Sequence, residues 1–485
     1  MAEINTSDVL QVLWTLSWVG ALLTVPSVLL QRAGRPIAAV SWILALFALP
    51  ALALAAWWLF GRVHLRGRVR RRRGSSQTTV RSLSETRRDM LDSKAEYLTH
   101  QRPASLLAPH LPQDMVDCVF PATPGNRVCL LTGVAEVQQA WMEMVREAEH
   151  HLHLLFYIWR NDRVGRTLRD LLIEKARSGV QVRVMYDAVG SLGLPSGFFA
   201  ELIRCGGQTA RFMPMRLASA TPTLNFRNHR KLIIADGRKA YTGGVNVGEE
   251  FMEWQDLGIA ICGPGVNQLQ EVFIDDWYFT TGEELASSRY FFSQPRMPAA
   301  DQEGAICETI VSGPDQAFNT TREMVFLAVT TQCRQRLWIA TPYFVPDEAL
   351  LLALRTAVYR GVDVRLVLPA RNNHPLVRRA SCAFYPELLQ SGVHIYEYRG
   401  MSHAKAMLFD DNGVLIGSAN LDIRSFRLNF ELSTFVRDTG LNRDLTTWLD
   451  KLLADAAEVV ADDFKQLPLG TKLVNAATHL LSPLL

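Results

Sequence analysis

Two apolar runs open the chain. Val9–Leu30 and Ile37–Phe60 carry no charged side chain, and each exceeds the ~20 residues that take a helix across a bilayer. The pattern predicts two transmembrane helices. A signal peptide would open with Lys or Arg, whereas "MAEINTSD" offers Glu3 and Asp8. A polar stretch follows, "GSSQTTVRSLSETRRDMLDSKAEYLTHQRPAS", poor in branched apolar residues and read as a linker with a surface helix. Near residue 113 the pattern changes again. "HLHLLFYIW" (151–159), a helical pattern and "SGVQVRVMYD" (178–187) are answered by "RLWIATPYF" (336–344), another helical pattern and "RGVDVRLVLP" (360–369). Apolar runs alternating with helical segments predict βαβ units in a parallel or mixed sheet covered by helices. The expected fold is therefore α/β and duplicated: a two-span membrane hairpin at 1–62, an Arg-rich linker at 63–112, and pseudo-symmetric α/β domains at 113–300 and 301–485.

Charge sharpens this division. Through Gly74 the chain has nine Arg, no Lys and two acids (9 − 2 = +7), while the remaining 411 residues hold 42 basic and 46 acidic side chains (42 − 46 = −4). Arg32 and Arg35 lie between the apolar runs; Arg62, Arg66, Arg68 and Arg70 to Arg73 follow the second. That bias favours a hairpin with both ends cytoplasmic, and arginines beside a span are drawn to anionic lipid head groups by about 1 kcal/mol each. An acidic body argues against a nucleic-acid partner. The seven cysteines form no CxxC pair, so reduced, mostly buried thiols are expected. His150, His151 and His153 lack Cys or carboxylate partners at zinc-ligand spacing and are expected to pack or to be solvated.

The candidate chemistry lies in "NHRKLIIADG" (228–237) and "SHAKAMLFDD" (402–411). From His229, Lys231 is at +2, Asp236 at +7, Asn246 at +17 and Asp256 at +27; from His403, Lys405 is at +2, Asp410 at +7, Asn420 at +17 and Glu431 at +28. At +15, Gly244 in "GGVN" faces Ser418 in "GSAN". If each motif is a strand, His and Lys share a face. A buried ammonium beside an imidazole calls for an anion between them, which a phosphate supplies. His229, Lys231, Asp236, His403, Lys405, Asp410, Asp256 and Glu431 form the candidate catalytic set. Within it, parity turns Asp236 away toward the "DG" turn, and Asp256 or Glu431 is the acid expected to orient an imidazole.

These residues resemble the phospholipase D superfamily, whose hallmark is HxKxxxxD followed by GSxN, present twice in its larger members; the match covers most of residues 113–485. Within it the chain is similar to the bacterial cardiolipin synthases, on "PGNRVCLLTG", "FRNHRKLIIADGRKAYTGGVNVGEE", "DDWYFTTGE", "IATPYFVPD" and "HAKAMLFDDNGVLIGSANLDIRSFRLNFE". The resemblance implies two phospholipase D-like domains meeting in one cleft, with no metal and no cofactor. One histidine attacks phosphorus and the other protonates the leaving alcohol, His229 and His403 by analogy, although near-symmetry leaves the assignment open. Lys231, Lys405, Asn246, Asn420, Ser418 and Gly244 would surround the phosphate. The implied partners are phosphatidylglycerol and anionic membrane lipids at a bacterial inner membrane, with homo-oligomerisation left open. The implied reaction joins two phosphatidylglycerol molecules into cardiolipin and glycerol. A phospholipase D hydrolase, a phosphodiesterase nuclease and a lipid-binding scaffold are the rivals. "MPMRLASATPTLNF" (213–226) reads either as an acyl-chain entrance or as a loop packed on its own core.

Overall fold

The computed structural model describes residues 6–32, 36–58, 82, 105–108, 110, 118–214, 226–291, 304–315, 319–411 and 413–479. The arginines at 35, 62, 66, 68 and 70–73, most of the 63–112 linker and residues 215–225 of the Met-rich stretch lie outside the described residues. The chain divides into an N-terminal helical unit and a body.

In the N-terminal unit the first apolar run is one helix, Thr6–Gln31. The second is not. It forms Pro36–Ala48, breaks at Leu49 (φ −138°) and resumes as Pro50–Ala56, because proline has no N–H to donate and disfavours helical backbone at the residue before it. Beyond the break the chain returns. Phe47 lies 5.8 Å from Trp18, whereas Leu54 packs on Gly20, Trp58 Nε1 donates to Thr24 Oγ1 and Trp57 Nε1 to Ser27 Oγ, both at 3.4 Å. Arg32 lies over the Trp57 ring. The second run thus reaches out along the first helix and comes back to the end where it began. Among the described residues one helix, through Gln11–Gln31, is long and apolar enough to cross a membrane, and Ala38–Ala48 is a shorter apolar helix.

The body's strands are β1 (Thr123–Thr132), β2 (His151–Phe156), β3 (Gln181–Asp187), β4 (Gln208–Phe212), β5 (Arg227–Asn228), β6 (Leu232–Ala235), β7 (Lys239–Gly243), β8 (Leu257–Cys262), β9 (Ala305–Ser312), β10 (Arg336–Ala340), β11 (Phe344–Val345), β12 (Asp363–Pro369), β13 (His394–Tyr398), β14 (Ala406–Phe409), β15 (Gly413–Gly417), β16 (Leu421–Asp422), β17 (Asn429–Arg437) and β18 (Ala456–Glu458). β2, β3 and β4 run parallel, and β6, β7, β8 and β1 continue the sheet antiparallel from β2. β10, β12 and β13, then β14, β15, β17 and β9, repeat this order. The expected mixed sheets are present, but they join edge to edge where β1 meets β9, so one sixteen-stranded sheet runs through both halves.

All six residues of β2 are buried, as a sheet covered on both faces requires. Helices Arg163–Arg177 and Glu348–Tyr359 occupy matching places after β2 and β10. Each opens on an aspartate that accepts an N–H three residues on, Asp162 from Gly165 at 2.9 Å and Asp347 from Leu350 at 3.2 Å, a cap that contributes about 1 kcal/mol. His151 and His153 pack among aromatic rings, His153 stacked 4.5 Å from Phe273, and burial pushes both imidazoles down, His151 to about 4. All seven cysteines are free thiols, and Cys118, Cys307, Cys333 and Cys382 are buried.

Candidate active site

Each His–x–Lys triplet lies where the chain changes sheet partner, and not within a strand as the parity argument assumed. β5 pairs in parallel with β17 of the other half, Asn228 opposite Phe430, and the His229 N–H donates to Phe430 O at 2.9 Å. In the second half Ser402 bridges to Gln255, and the His403 N–H donates to Gln255 O at 2.7 Å. Only after Lys231 and Lys405 does the chain enter β6 and β14 of its own half. Each lysine curls back, its Nζ donating to the carbonyl of its own histidine at 2.6 Å.

This register decides which acid meets which imidazole. The residue after Phe430 is Glu431 and the residue after Gln255 is Asp256, so the pairs cross between halves. His229 Nδ1 lies 3.1 Å from Glu431 Oε2 and 3.0 Å from Ser418 O; His403 Nδ1 lies 2.8 Å from Asp256 Oδ2. Neither half holds a complete site. With Nδ1 engaged, Nε2 of His229 is the ring atom left for chemistry, whereas on His403 the Lys405 Nζ lies 2.8 Å from Nδ1 and 3.1 Å from Nε2. Arg230 ties the crossing down: Nη1 bonds Asp276 at 2.7 Å, Nε the Glu431 carbonyl at 3.1 Å and Nη2 the Ser312 carbonyl at 3.2 Å. Behind it Asp187 accepts from the Asn228 N–H and from Arg227.

The cluster is closed to water, with Lys231 and Glu431 at 0 % exposure and His229 at 8 %. Burial lowers both lysines: Lys231 sits well below its ordinary value, with the Lys405 charge adding to the effect, and Lys405 falls to about 8 although Asp256, Glu431 and Asp422 pull it upward. Burial also holds His229 down to about 4 and His403 well below the usual imidazole range. Burial pushes Asp256 up to about 6. Burial pushes Glu431 upward as well, yet His229, Lys231 and the Ser418 hydroxyl outweigh it, leaving this carboxyl below its usual range. Lys231 and both imidazoles feel the cations of the opposite motif, and with the crossed acid pairs this gathers the two motifs into one centre. Two crowded buried ammoniums are a standing demand for an anion.

The remaining sequence-nominated residues divide. Asn246 is buried and its Oδ1 accepts from the Ile158 N–H at 3.1 Å; Asn420 is buried with Oδ1 unpartnered. The Ser418 hydroxyl donates to Glu431 and accepts from the Leu432 N–H at 3.0 Å. Gly244 leaves room for an acid: a Cβ there would meet Asp256 Oδ1 at 2.3 Å. Asp236 and Asp410 bond to backbone away from the paired imidazoles. Each sits in a turn with positive φ, and its carboxylate takes backbone N–H groups at the start of the neighbouring strand, from Glu149, His150 and His151 for Asp236 and from Arg334, Gln335 and Arg336 for Asp410. Sequence reasoning missed the aromatic walls: Tyr157 lies 5.0 Å from His229, Trp254 5.2 Å and Tyr343 6.1 Å from His403. Their signal was weak, Tyr157 and Tyr343 merely ending the repeated strands. Among the described residues no three His, Cys, Asp or Glu side chains gather as a metal site.

Residues 142–277 and 327–453 match the sequence model of the family described as "Cardiolipin synthase, PLD-like domain". The chain belongs to the cardiolipin synthase family. It is an enzyme of that type, 36% identical to the cardiolipin synthase of Geobacillus sp. (strain WCH70), over 93% of this chain and 89% of the relative. Cardiolipin synthase 2 of Bacillus anthracis is 33% identical over 93% of this chain and 87% of its own. Among solved structures, the phosphatidylserine synthase of Haemophilus influenzae Rd KW20 superposes with a TM-score of 0.57 at 15% identity, covering 74% of this chain and 95% of that one, which establishes a shared fold.

Proposed function

We propose that this member of the cardiolipin synthase family is a phosphatidyltransferase that makes cardiolipin and glycerol from two molecules of phosphatidylglycerol. The supporting observation is the crossed pair of imidazoles, each held at Nδ1 by the other half's carboxylate, with both lysines in the same buried cluster. In this reading His229 Nε2 attacks the phosphorus of the first lipid, and glycerol leaves with a proton from His403. Burial and then the nearby lysines keep His403 neutral; the bound phosphate offsets the two ammoniums and so favours its protonation. The hydroxyl of the second lipid then gives its proton to His403 and bonds to phosphorus as the P–N bond breaks. Lys231, Lys405, Asn246 and Asn420 surround the charge that develops on the phosphoryl oxygens.

Residues 113–300 and 301–485 are the two phospholipase D-like domains in this reading, and 63–112 is the linker from the membrane. The helix Thr6–Gln31 crosses the bilayer once, and the second apolar run re-enters and returns to the side of Arg32. The arginines and the body then share the cytoplasmic face of a bacterial inner membrane, in keeping with the positive-inside bias. A cysteine placed at Ser7 should react with an impermeant thiol reagent from outside intact spheroplasts; protection there favours the hairpin instead. The activity is tested by giving purified protein labelled phosphatidylglycerol in vesicles. Cardiolipin with free glycerol is the expected product pair, phosphatidic acid alone identifies a hydrolase, and no product identifies a scaffold.

A further inference from the structure

The two halves carry opposite charges at a matching offset from the phosphate asparagines. Four residues after Asn246 stands Glu250, and four residues after Asn420 stands Arg424. Glu250 is committed, its Oε1 paired with Arg160 Nε at 2.6 Å. Arg424, half-buried on the short helix Ile423–Arg427, makes no side-chain hydrogen bond or ion pair among the described residues. Its surroundings belong to both halves of the reaction centre. β11 pairs with β16, Phe344 opposite Leu421, which sets Tyr343 beside Asn420. The Tyr343 ring lies 6.1 Å from His403 and 5.6 Å from His374, and its hydroxyl donates to Asn373 Oδ1 at 2.8 Å. The Asn420 N–H donates to Ser425 Oγ at 3.2 Å, which holds the Arg424 helix against that asparagine, and the charge of Arg424 acts on Asp422, on His374 and on Tyr157, which lies against His229.

The proposed reaction asks for a cation in such a place. In its second step the site holds two phosphates: one bonded to the histidine between Lys231 and Lys405, and one belonging to the incoming lipid, three carbons from the hydroxyl that attacks. The second phosphodiester keeps its negative charge throughout. We propose that Arg424 grips the phosphodiester of the acceptor phospholipid and so selects a lipid glycerol over water or free glycerol. This rests on the transferase reading above. The transfer balances: the acceptor oxygen bonds to phosphorus, the P–N bond of the phosphohistidine breaks, and the hydroxyl proton passes to the other imidazole. Arg424 touches neither the breaking nor the forming bond. Guanidinium suits the role, since it pairs with phosphate through two parallel N–H bonds where an ammonium offers a point charge.

Two reactions of the full-length protein in phosphatidylglycerol vesicles separate acceptor recognition from chemistry. One is cardiolipin formation; the other is incorporation of labelled glycerol into phosphatidylglycerol, which uses the same donor and histidines with an uncharged acceptor. Arg424→Gln should lower cardiolipin formation roughly ten- to a hundredfold, the loss of a charge-assisted contact, through a higher requirement for acceptor lipid. Glycerol incorporation should change about tenfold less, and Arg424→Lys should recover part of the loss. An equal fall in both reactions, or no fall in either, overturns the assignment. Wild-type protein that incorporates glycerol yet forms no cardiolipin overturns the transferase reading itself, and the role of Arg424 with it.

Discussion

The acids behind the two histidines are presented by matching backbones, yet their surroundings differ. Glu431 accepts from the Ser418 hydroxyl, from Asn429 Nδ2 at 3.1 Å and from His229. Asp256 has the Leu257 N–H at 2.8 Å and His403. Donors keep Glu431 ionised despite complete burial, whereas burial raises Asp256 to about 6. A duplicated scaffold has thereby acquired unlike partners for two like rings. A firmly ionised carboxylate favours the ring that must bear a positive charge while bonded to phosphorus, and a carboxyl that titrates near neutrality suits the ring that takes up and returns a proton.

The most severe test removes one ring at a time. His229→Asn should lower turnover about 10⁴-fold or more, as loss of a nucleophile does, and leave no covalent adduct. His403→Asn should lower turnover by about 10² to 10⁴-fold. With a donor whose leaving group is p-nitrophenolate, which needs no protonation, it should still give a burst and a trapped phosphatidyl-protein. Mass spectrometry of the quenched proteins reads the result, and an adduct on His403 in the His229 variant reverses the roles.

The acids come next. Glu431→Gln should cost about 10³- to 10⁴-fold in kcat, as mis-set tautomers do elsewhere, and Asp256→Asn about tenfold, each with little change in KM. The asymmetry also fixes the pH profile. Asp256 must be ionised to hold His403, so kcat/KM should rise through about pH 6; Lys405 must be protonated to hold phosphate, so it should fall above about pH 8. The acidic limb should be absent in Asp256→Asn. Equal losses in the two variants, or an acidic limb that survives, would dissolve the distinction between the halves.

Smaller effects follow at the positions that shape each acid. Gly244→Ala places a methyl 2.3 Å from Asp256 Oδ1, so the carboxylate must move off His403. Turnover should fall about tenfold, and overpacking should cost about 1–3 kcal/mol in stability. Ser418→Ala removes a hydroxyl from Glu431 with no steric conflict, and should cost about 1 kcal/mol with the smaller loss of rate. Urea denaturation and steady-state assays on both variants check the order.

Much of this was legible in the chain, and the parts that were not have physical reasons. Offsets of 27 and 28 from each histidine picked out Asp256 and Glu431, because a duplicated backbone keeps its spacing. The crossing of the pairs was not visible, since it depends on Asn228 meeting Phe430 and on Ser402 meeting Gln255, contacts about two hundred and about one hundred and fifty residues apart. Gly244, placed by its offset among the groups around the phosphate, is a space kept for Asp256. In the N-terminal unit, counting apolar residues counted Pro50 as one of them and ignored the N–H it lacks. Alternation of strands and helices foretold the mixed sheet, while the β1–β9 seam rests on a short, irregular pairing.

The two motif aspartates offer the mildest test, one of stability. Asp236 Oδ1 accepts from His150 and His151 and its Oδ2 from Glu149, all at 2.8 Å. Asp410 concentrates its bonds on Oδ1, which accepts from Arg334, Gln335 and Arg336, while Oδ2 only shares the Arg334 N–H. Asparagine keeps one acceptor oxygen. Asp410→Asn can therefore retain every donor, and should cost less than about 1 kcal/mol; Asp236→Asn turns an NH₂ toward one N–H, and should cost about 1–2 kcal/mol. Burial raises the Asp236 carboxyl, but the three N–H groups outweigh it and hold it below its usual range. A depressed carboxyl contributes its stability above the unfolded value of about 4 and loses it as pH falls through the folded one. Wild type and Asp236→Asn should thus converge in denaturant midpoint below about pH 4, with both variants within about twofold of wild-type turnover at neutral pH where they remain folded. A large loss of turnover in a folded Asp236→Asn protein would return this aspartate to the reaction centre.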